Sequence, residues 1–458
     1  MSAPTAAVPG ARLALTRLDL AATDDATRTA LASLVRRGAV PDARIRDGAR
    51  VILEEVRVGG AAAVRRVNTA YGGGRANGDL FVDHAELAAA AKRLSRVVRR
   101  ALDQAIANVR SFAETQRPET TRTTIVPGVE IERRWTPLRR VGCYVPGGSA
   151  PYPSSLVMTV VPARVAGVRE IVVASPADAS GGIDPVLLGA AGILDVDYLL
   201  VAGGAQAIGA LAFGLADEGF EPVDRIVGPG NAWVTAAKIE VSGLVGIDLP
   251  AGPSEGMVLA DRTADTDLVA ADLVTQAEHG PDSPAILVTT DRELADAVET
   301  EIARLLPTLE RRVILERALG EHGRIVLAPD LDAAIEFANA YAPEHLSVDV
   351  EDVEAAVARL DSAGSLFVGP WAPESAGDYA TGANHVLPTG GLARSCGPLS
   401  VEAFGRYSQV QRIDRAGLSA LADTIRTLAT AEGLTAHRNA VEARFRTAPA
   451  DSADTPDR

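Results

Sequence analysis

Short apolar runs alternate with helical segments through most of this chain, and that alternation constrains the fold more than any other feature. After about residue 142 the runs EIVVAS, YLLVA, RIVG and VGIDLP follow one another, and MVLAD, AILVTT, RIVLA, HLSV and SLFVG form a second series after about residue 250. Such alternation with short connections predicts βαβ units and parallel sheets covered by helices. We therefore predict an α/β fold with two Rossmann-like parallel-sheet domains.

Composition excludes several other classes of protein. The 458 residues suggest two to three domains, and 45 Lys and Arg against 60 Asp and Glu give a net charge of −15, which opposes binding to nucleic acid or anionic membranes. Only two cysteines occur, Cys143 and Cys396, too few for a disulfide framework. Charged residues interrupt the N-terminal region, so we expect no signal peptide and a cytoplasmic protein.

One stretch has the length of a membrane span but not its character. Residues 198–216 carry no charge, yet they include glycines and Gln206. We predict a short strand, a Gly-Gly turn and a buried helix there.

Changes in pattern also mark the remaining segments. Helical periodicity begins near Asp47 and resumes over about 84–117, and β-prone residues between Thr121 and Val145 predict strands that lead into a new domain near Gly142. We expect 398–446 to be mainly helical and the tail 447–458 to be disordered.

Two glycine-rich turns follow predicted strands. The common dinucleotide-binding fingerprint G-x-G-x-x-G is found after none of the predicted strands. The two turns are GGAQ, which ends at Gln206, and GPGN, which ends at Asn231. Free backbone N–H groups at such turns can hold a phosphate or carboxylate. Each turn could equally be a tight connection between strand and helix.

Several polar residues could carry chemistry. Gln276 and His279 lie three residues apart on a predicted helix and could share a divalent metal, or they could simply end a surface helix. Glu344 and His345 in APEHL could act as an acid–base pair, or belong to a solvated loop. A buried Asp378 would need a cation or hydrogen bonds.

Other candidates depend on their surroundings. His385 lies in the same glycine-rich segment as Asp378, and His437 lies near Glu432 in EGLTAH. Cys143 could act as a nucleophile, but its sequence neighbours are apolar, so we favour a structural role.

Eight segments, taken in order, resemble the histidinol dehydrogenase family over residues of about 40–445. They are VGCYVPGGSAPYPSSLVM, GGAQAIGALAFG, IVGPGNAWVTAAK, GIDLPAGPSE, QAEHGPDS, YAPEHL, ESAGDYATGANHVLPT and EGLTAHRNAV. Gly405 and Tyr407 depart from the family pattern, which leaves the local packing there open.

The resemblance implies oxidation of L-histidinol through L-histidinaldehyde to L-histidine with two NAD⁺, the last steps of histidine biosynthesis. It implies His345 as the base of the first oxidation and Glu344 as the activator of water in the second. The implied zinc ligands are Gln276, His279, Asp378 and His437. These ligands and the acid–base pair would also contact the substrate, together with Ser254, His385 and Glu432. The implied NAD⁺ contacts are Tyr144, Gln206 and Asn231.

The resemblance also implies an intertwined homodimer, in which His437 reaches the zinc ion of the other subunit. The domains would be an N-terminal helical segment 1–38, a discontinuous α/β domain of 39–142 and 254–397 with the metal site, an inserted α/β domain 143–253 with the NAD⁺ contacts, and a C-terminal helical segment 398–446.

Two other functions fit parts of the sequence. A paralogue could oxidise a different amino alcohol or carry out one step only, although intact Ser254, His385 and Glu432 oppose this. A solute-binding protein could also contain two α/β domains, but we would then expect an export signal and no Glu-His pair.

Overall fold

A computed structural model describes residues 14–147 and 151–446, and these residues form alternating strands and helices. The strands are β1 (Thr16–Asp19), β2 (Thr121–Val126), β3 (Val129–Pro137), β4 (Arg140–Tyr144), β5 (Glu170–Ser175), β6 (Tyr198–Val201), β7 (Arg225–Val227), β8 (Gly246–Ile247), β9 (Gly256–Ala260), β10 (Ala285–Thr289), β11 (Arg324–Leu327), β12 (His345–Asp349), β13 (Ser365–Val368) and β14 (Gly405–Ile413).

The helices complete the layers. They are α1 (Asp25–Val35), α2 (Ala43–Tyr71), α3 (His84–Arg93), α4 (Arg96–Thr115), α5 (Pro153–Ala166), α6 (Pro185–Ile193), α7 (Gly204–Phe213), α8 (Ala232–Val241), α9 (Thr266–Glu278), α10 (Arg292–Leu305), α11 (Arg312–His322), α12 (Leu331–Tyr341), α13 (Val353–Val357), α14 (Glu374–Tyr379), α15 (Arg415–Ala431) and α16 (Thr435–Arg446).

Two parallel sheets confirm the predicted α/β class. The five-stranded sheet has the order β6-β5-β4-β7-β8, and the six-stranded sheet has the order β1-β11-β10-β9-β12-β13. The five-stranded sheet begins at its central strand β4 and reverses its direction of growth once, as doubly wound sheets do. The strands β9 to β13 of the six-stranded sheet follow the same rule from β9, whereas β1 lies at the edge of that sheet. The chain leaves the six-stranded sheet after β1 and returns to it at β9.

The uncharged stretch 198–216 folds as predicted, into β6, a glycine turn and α7, whose residues are largely buried. Among the described helices, none has both the length and the hydropathy of a membrane span.

The predicted domain of 39–142 with 254–397 stays a prediction, because both parallel sheets belong to one compact unit. The N-terminal helices pack on helices of the segment 143–253: α2 on α7 and α8, α3 on α6, and α4 on α5. The reason is that Leu53 and Val56 on α2 share a buried apolar cluster with Ile208 and Leu211 on α7. The helices of 43–115 thus pack on the helices that flank the five-stranded sheet.

Two segments that were predicted to be helical (1–38) and mainly helical (398–446) each contain a strand beside their helices. The segment 1–38 includes β1, which pairs in parallel with β11 at the edge of the six-stranded sheet. The segment 398–446 includes the nine-residue β14, which pairs antiparallel with β3 from Gly405 opposite Pro137 to Ile413 opposite Val129. Long-range pairing decides the structure of both segments. The predicted tail 447–458 lies outside the described residues.

The chain divides into two compact units. One comprises the described residues up to Arg117 together with Leu138–Phe404, and the other comprises Pro118–Pro137 and the described residues from Gly405. In the second unit β2, β3 and β14 form an antiparallel sheet, and α15 packs on α16. The first unit contains both parallel sheets.

A buried ion pair fixes the glycine turn after β7. Lys238 on α8 pairs with Asp248, and Lys238 Nζ donates to the carbonyl oxygen of Gly228 at 2.9 Å. Asp248 Oδ2 accepts from Gly228 N–H at 2.7 Å. Gly228 has φ of 109°, and an added Cβ would lie 2.1 Å from the backbone oxygen of Tyr144 at the end of β4. The turn therefore approaches β4 more closely than a side chain would allow.

Replacement of Gly228 by Ala should lower the free energy of unfolding by roughly 1–3 kcal/mol, because the left-handed conformation and the contact with Tyr144 would both be strained. Denaturant unfolding measures this change. Gly243→Ala is the control, since a Cβ there meets nothing within 4 Å. Equal stability of the two variants would contradict the close approach of the Gly228 turn to β4.

Candidate active site

The candidate active site lies at the amino edge of the six-stranded sheet. Ser254 precedes β9, His279 directly follows α9 and leads toward β10, and His345 begins β12. Ligands of open α/β sheets commonly bind at the carboxyl edge, so the sequence pattern alone would have indicated the opposite edge.

Pairing of β9 with β12 sets the geometry of this site. The register places His345 opposite Gly256, and the side chain of Gln276 from α9 fills the space that a Gly256 side chain would occupy. Gln276 Oε1 lies 3.2 Å from His345 Nδ1. Because an amide oxygen can only accept a hydrogen bond, Nδ1 carries the proton and Nε2 of His345 keeps its lone pair.

Glu344 is held beside His345 by the start of β9. The chain enters β12 through Ala342, a buried residue at φ of 52° that ends α12. Glu344 Oε2 accepts from Ser254 Oγ at 2.7 Å and from Glu255 N–H at 2.9 Å. Burial raises the pKa of Glu344 well above its ordinary value, and the Glu255 and Asp378 carboxylates add to this shift.

His345 is buried among other titratable groups. Burial lowers the pKa of His345 well below its ordinary value, and the neighbouring His279 and His385 lower it further. The imidazole is therefore neutral at pH 7 and able to accept a proton. Glu344 and His345 thus form a buried pair rather than the solvated loop that was the alternative interpretation.

Three side chains form a cluster suited to a cation. His279, Glu374 and Asp378 each offer one ligand atom, and these atoms lie within 4.8 Å of one another. Burial raises the pKa of Glu374 well above its ordinary value, and Asp378 and Glu344 raise it further, so the carboxylates repel one another. Imidazole and carboxylate donors without thiolate suit zinc and related divalent ions, which would relieve that repulsion. The residues present fit such an ion.

Gln276 lies next to this cluster, and its position is compatible with the predicted metal ligation. Its side chain is 2% exposed and its oxygen faces His345. An amide oxygen has two lone pairs, so the same atom could accept from His345 and bind a cation.

His385 connects the amino edge to the other sheet. Its Nδ1 lies 3.0 Å from the backbone oxygen of Asp378, and its Nε2 lies 3.2 Å from Ser155 Oγ. Ser155 lies in the first turn of α5, which follows the carboxyl end of β4. Within the first unit, the amino edge of the six-stranded sheet thus faces the carboxyl edge of the five-stranded sheet.

The three predicted NAD⁺ contacts lie at that carboxyl edge. Tyr144 ends β4, and its hydroxyl accepts from Gly204 N–H at 3.2 Å. Gln206 donates to Asn68 Oδ1 at 3.1 Å, and Asn231 caps α8 through the N–H groups of its first turn. The edge includes the point between β4 and β7 where the sheet changes direction, a common place for nucleotides.

Two predicted site residues belong to the second compact unit. Glu432 follows the last turn of α15, and His437 lies in the first turn of α16. Both are exposed within this chain. The first unit brings together Ser254, Gln276, His279, Glu344, His345, Asp378 and His385.

The structure also decides between the two interpretations of Cys143. The residue lies on β4 with no exposed surface, and burial raises its pKa to about 12. A thiol with this pKa is not ionised at neutral pH, so the structural role is favoured.

Sequence reasoning missed Glu374 and Glu255. Glu374 precedes Asp378 by one helical turn in ESAGDY, a spacing that places both carboxylates on one face and could have indicated the pair. Glu255 forms a buried ion pair with Arg37, and it accepts from Gly390 N–H at 3.1 Å. A pairing across 218 residues leaves no local signal in the sequence.

The fold and the site together define a class of protein: an α/β enzyme with two facing parallel sheets, a buried acid–base pair and a cluster of side chains that could bind a cation. Comparison with known proteins identifies the family. The family model for histidinol dehydrogenase matches residues 35–445. Histidinol dehydrogenase of Leifsonia xyli subsp. xyli is 47% identical over 422 residues, which cover 92% of this chain and 97% of that protein.

Other relatives agree. Histidinol dehydrogenase of Halobacterium salinarum is 46% identical and covers 90% of this chain and 96% of that protein. The crystal structure of histidinol dehydrogenase from Elizabethkingia anophelis superposes with a TM-score of 0.87 at 35% identity and covers 94% of this chain and 98% of that one. The chain belongs to the histidinol dehydrogenase family, as its sequence predicted.

Replacement of Gly256 by Ala should displace Gln276, because the added Cβ would lie 2.6 Å from its Oε1. We expect a loss of roughly 1–3 kcal/mol in the free energy of unfolding, as for other overpacked sites. Denaturant unfolding and a crystal structure of the variant measure both effects. Gly397→Ala, in open space, is the control. A variant with unchanged stability and an intact Gln276–His345 hydrogen bond would contradict the packing described.

Proposed function

We propose that this protein oxidises L-histidinol through L-histidinaldehyde to L-histidine, and that it uses two NAD⁺ and one water molecule. The observation that carries this proposal is the buried Glu344–His345 pair beside His279 and Asp378, in a chain of the histidinol dehydrogenase family. Its role is the last part of histidine biosynthesis. The cytoplasmic location expected from the sequence remains a prediction.

The proposed metal is one zinc ion per subunit, held by Gln276, His279 and Asp378 with His437 of the partner subunit. When bound, zinc supplies an electrophile that orients the imidazole and amine of the substrate. Support comes from the donor cluster around His279 and from the repulsion among the buried carboxylates. Exposure of His437 and Glu432 within this chain supports their contribution to a second subunit in a homodimer.

His345 is the proposed base of the first oxidation. A carbinol can lose hydride only as its O–H proton departs, and His345 Nε2 has the lone pair to accept that proton. NAD⁺ supplies the acceptor for the hydride. Gln276 keeps the proton of the neutral ring on Nδ1 through the 3.2 Å contact, so the ring presents its basic nitrogen.

Glu344 is the proposed base of the second oxidation. An aldehyde must become a hydrate before it can lose a second hydride, and a carboxylate whose pKa is raised by burial is a stronger base toward water. Ser254 and the Glu255 N–H hold one carboxylate oxygen of Glu344 and leave the other for the water. Burial of the pair also limits escape of the reactive aldehyde.

Tyr144, Gln206 and Asn231 are the proposed NAD⁺ contacts. Their support is their position at the carboxyl edge of the doubly wound five-stranded sheet, where glycine turns lead from the strands into helices. The contact between Ser155 and His385 brings a proposed substrate residue against the helix that follows β4 at this edge. Ser254, His385 and Glu432 complete the proposed substrate contacts.

Replacement of His345 by Asn should lower kcat for histidinol oxidation about 10²- to 10⁴-fold, because Asn cannot accept the proton. Zinc content should stay at the wild-type value, since His345 is not a proposed ligand. Stopped-flow NADH formation and metal analysis measure these two properties. His84→Asn, at an exposed helix start, is the control and should keep full activity. Full activity of the His345→Asn variant would refute its role as the base.

Replacement of Glu344 by Gln should slow oxidation of L-histidinaldehyde more than oxidation of L-histidinol. The amide can keep the hydrogen bonds from Ser254 and Glu255 but cannot activate water. Single-turnover rates with each substrate measure the two steps separately, and the first step is the internal control. Equal losses in both steps would argue against water activation by Glu344.

A further inference from the structure

Glu374 is a buried carboxylate for which the proposed reaction has no role. Its side chain is 4% exposed, and among the described residues its Oε1 has no hydrogen-bond partner. That oxygen lies 3.6 Å from His279 Nδ1 and 3.8 Å from His345 Nδ1. It therefore faces both histidines of the site.

The two nitrogens of His279 face two different carboxylates. Nδ1 points toward Glu374 and toward the backbone oxygen of Gln276 at 3.3 Å, whereas Nε2 lies 4.0 Å from Asp378 Oδ2. Both neighbours of Nδ1 are acceptors, so Nδ1 carries the proton of the neutral ring. The lone pair of Nε2 is then directed toward Asp378, where a cation can bind both groups.

Glu374 and Asp378 reach opposite ends of the imidazole because of their spacing on α14. They are four residues apart, so their side chains lie one above the other on the same helix face. Asp378 is the more exposed of the two, with 13% of its side-chain surface accessible. Glu374 is thus the inner carboxylate and Asp378 the outer one.

We propose that Glu374 is a positioning residue: its carboxylate accepts a hydrogen bond from His279 Nδ1 and thereby directs Nε2 toward a divalent cation at Asp378. This inference rests on the proposed metal site. Metal-binding histidines commonly donate their second N–H to such a carboxylate, which fixes the tautomer and the ring orientation. Direct binding of the cation by Glu374 is the competing arrangement.

A carboxylate kept for this purpose weakens the metal-free fold. A buried charge without a hydrogen bond is unfavourable, and its replacement by a neutral or apolar group of similar size is often neutral or stabilising. Glu374→Gln retains an oxygen that can accept from Nδ1, whereas Glu374→Leu removes the acceptor. These variants therefore separate positioning from packing.

The test is zinc affinity, measured by competition with a chromophoric chelator, together with denaturant unfolding of the metal-free protein. We expect Glu374→Leu to weaken zinc binding about 10- to 100-fold and Glu374→Gln to weaken it less. Metal-free stability should be unchanged or increased in both. A purely structural residue would show the reverse: lower stability with zinc affinity retained. If the Leu variant does not fold, the Gln variant still provides both the zinc affinity and the metal-free stability.

Asp349→Asn is the matched control, because it removes a partly buried carboxylate at the carboxyl end of β12, the sheet edge opposite to the site. Its zinc affinity should equal that of the wild type. Wild-type affinity in Glu374→Leu would overturn this inference alone, and a wild-type protein that binds no zinc would overturn the metal site as well. A zinc-loaded crystal structure should place Glu374 on His279 Nδ1, and a Glu374 oxygen about 2.0–2.2 Å from the ion would overturn the proposal.

Discussion

The pairing of β9 with β12 is the interaction on which the site depends. It sets His345 opposite Gly256. Because Gly256 has no side chain, the side chain of Gln276 from α9 fits beside it and reaches His345. The same register brings Glu344 against Ser254 and the Glu255 N–H group. A shift by one residue would separate the acid–base pair from every partner that orients it. The buried Arg37–Glu255 ion pair anchors the start of β9 from the N-terminal segment.

The two sheets contribute opposite edges to the proposed chemistry. The carboxyl edge of the five-stranded sheet offers glycine turns and helix N-termini, which suit a phosphate-bearing cofactor. The amino edge of the six-stranded sheet offers imidazole and carboxylate groups, which suit a cation and proton transfer. The His385–Ser155 contact lies between these edges. In the proposed reaction the five-stranded sheet would hold the hydride acceptor and the six-stranded sheet would supply the base.

Sequence patterns predicted local features well and long-range ones poorly. The helix over Thr266–Glu278 and the strand–turn–helix over 198–213 follow from periodicity and glycine placement, because neighbours in sequence determine them. The strand β14 was missed, since its structure depends on pairing with β3 far along the chain. The packing of α2 against α7 could not be predicted for the same reason, because it depends on contacts between segments that are distant in sequence. The motifs contained the residues that the structure brings together around His345, but they indicated neither the sheet edge nor the position of Glu374.

The most direct test is the yield of NADH per L-histidinol consumed, measured side by side with zinc-loaded and chelator-stripped protein. We predict two NADH per substrate with zinc, loss of the reaction on stripping, and its return when zinc is restored. One NADH per substrate would contradict the proposed function, because oxidation would then stop at the aldehyde. Undiminished turnover by the stripped protein would contradict the proposed metal site at His279 and Asp378.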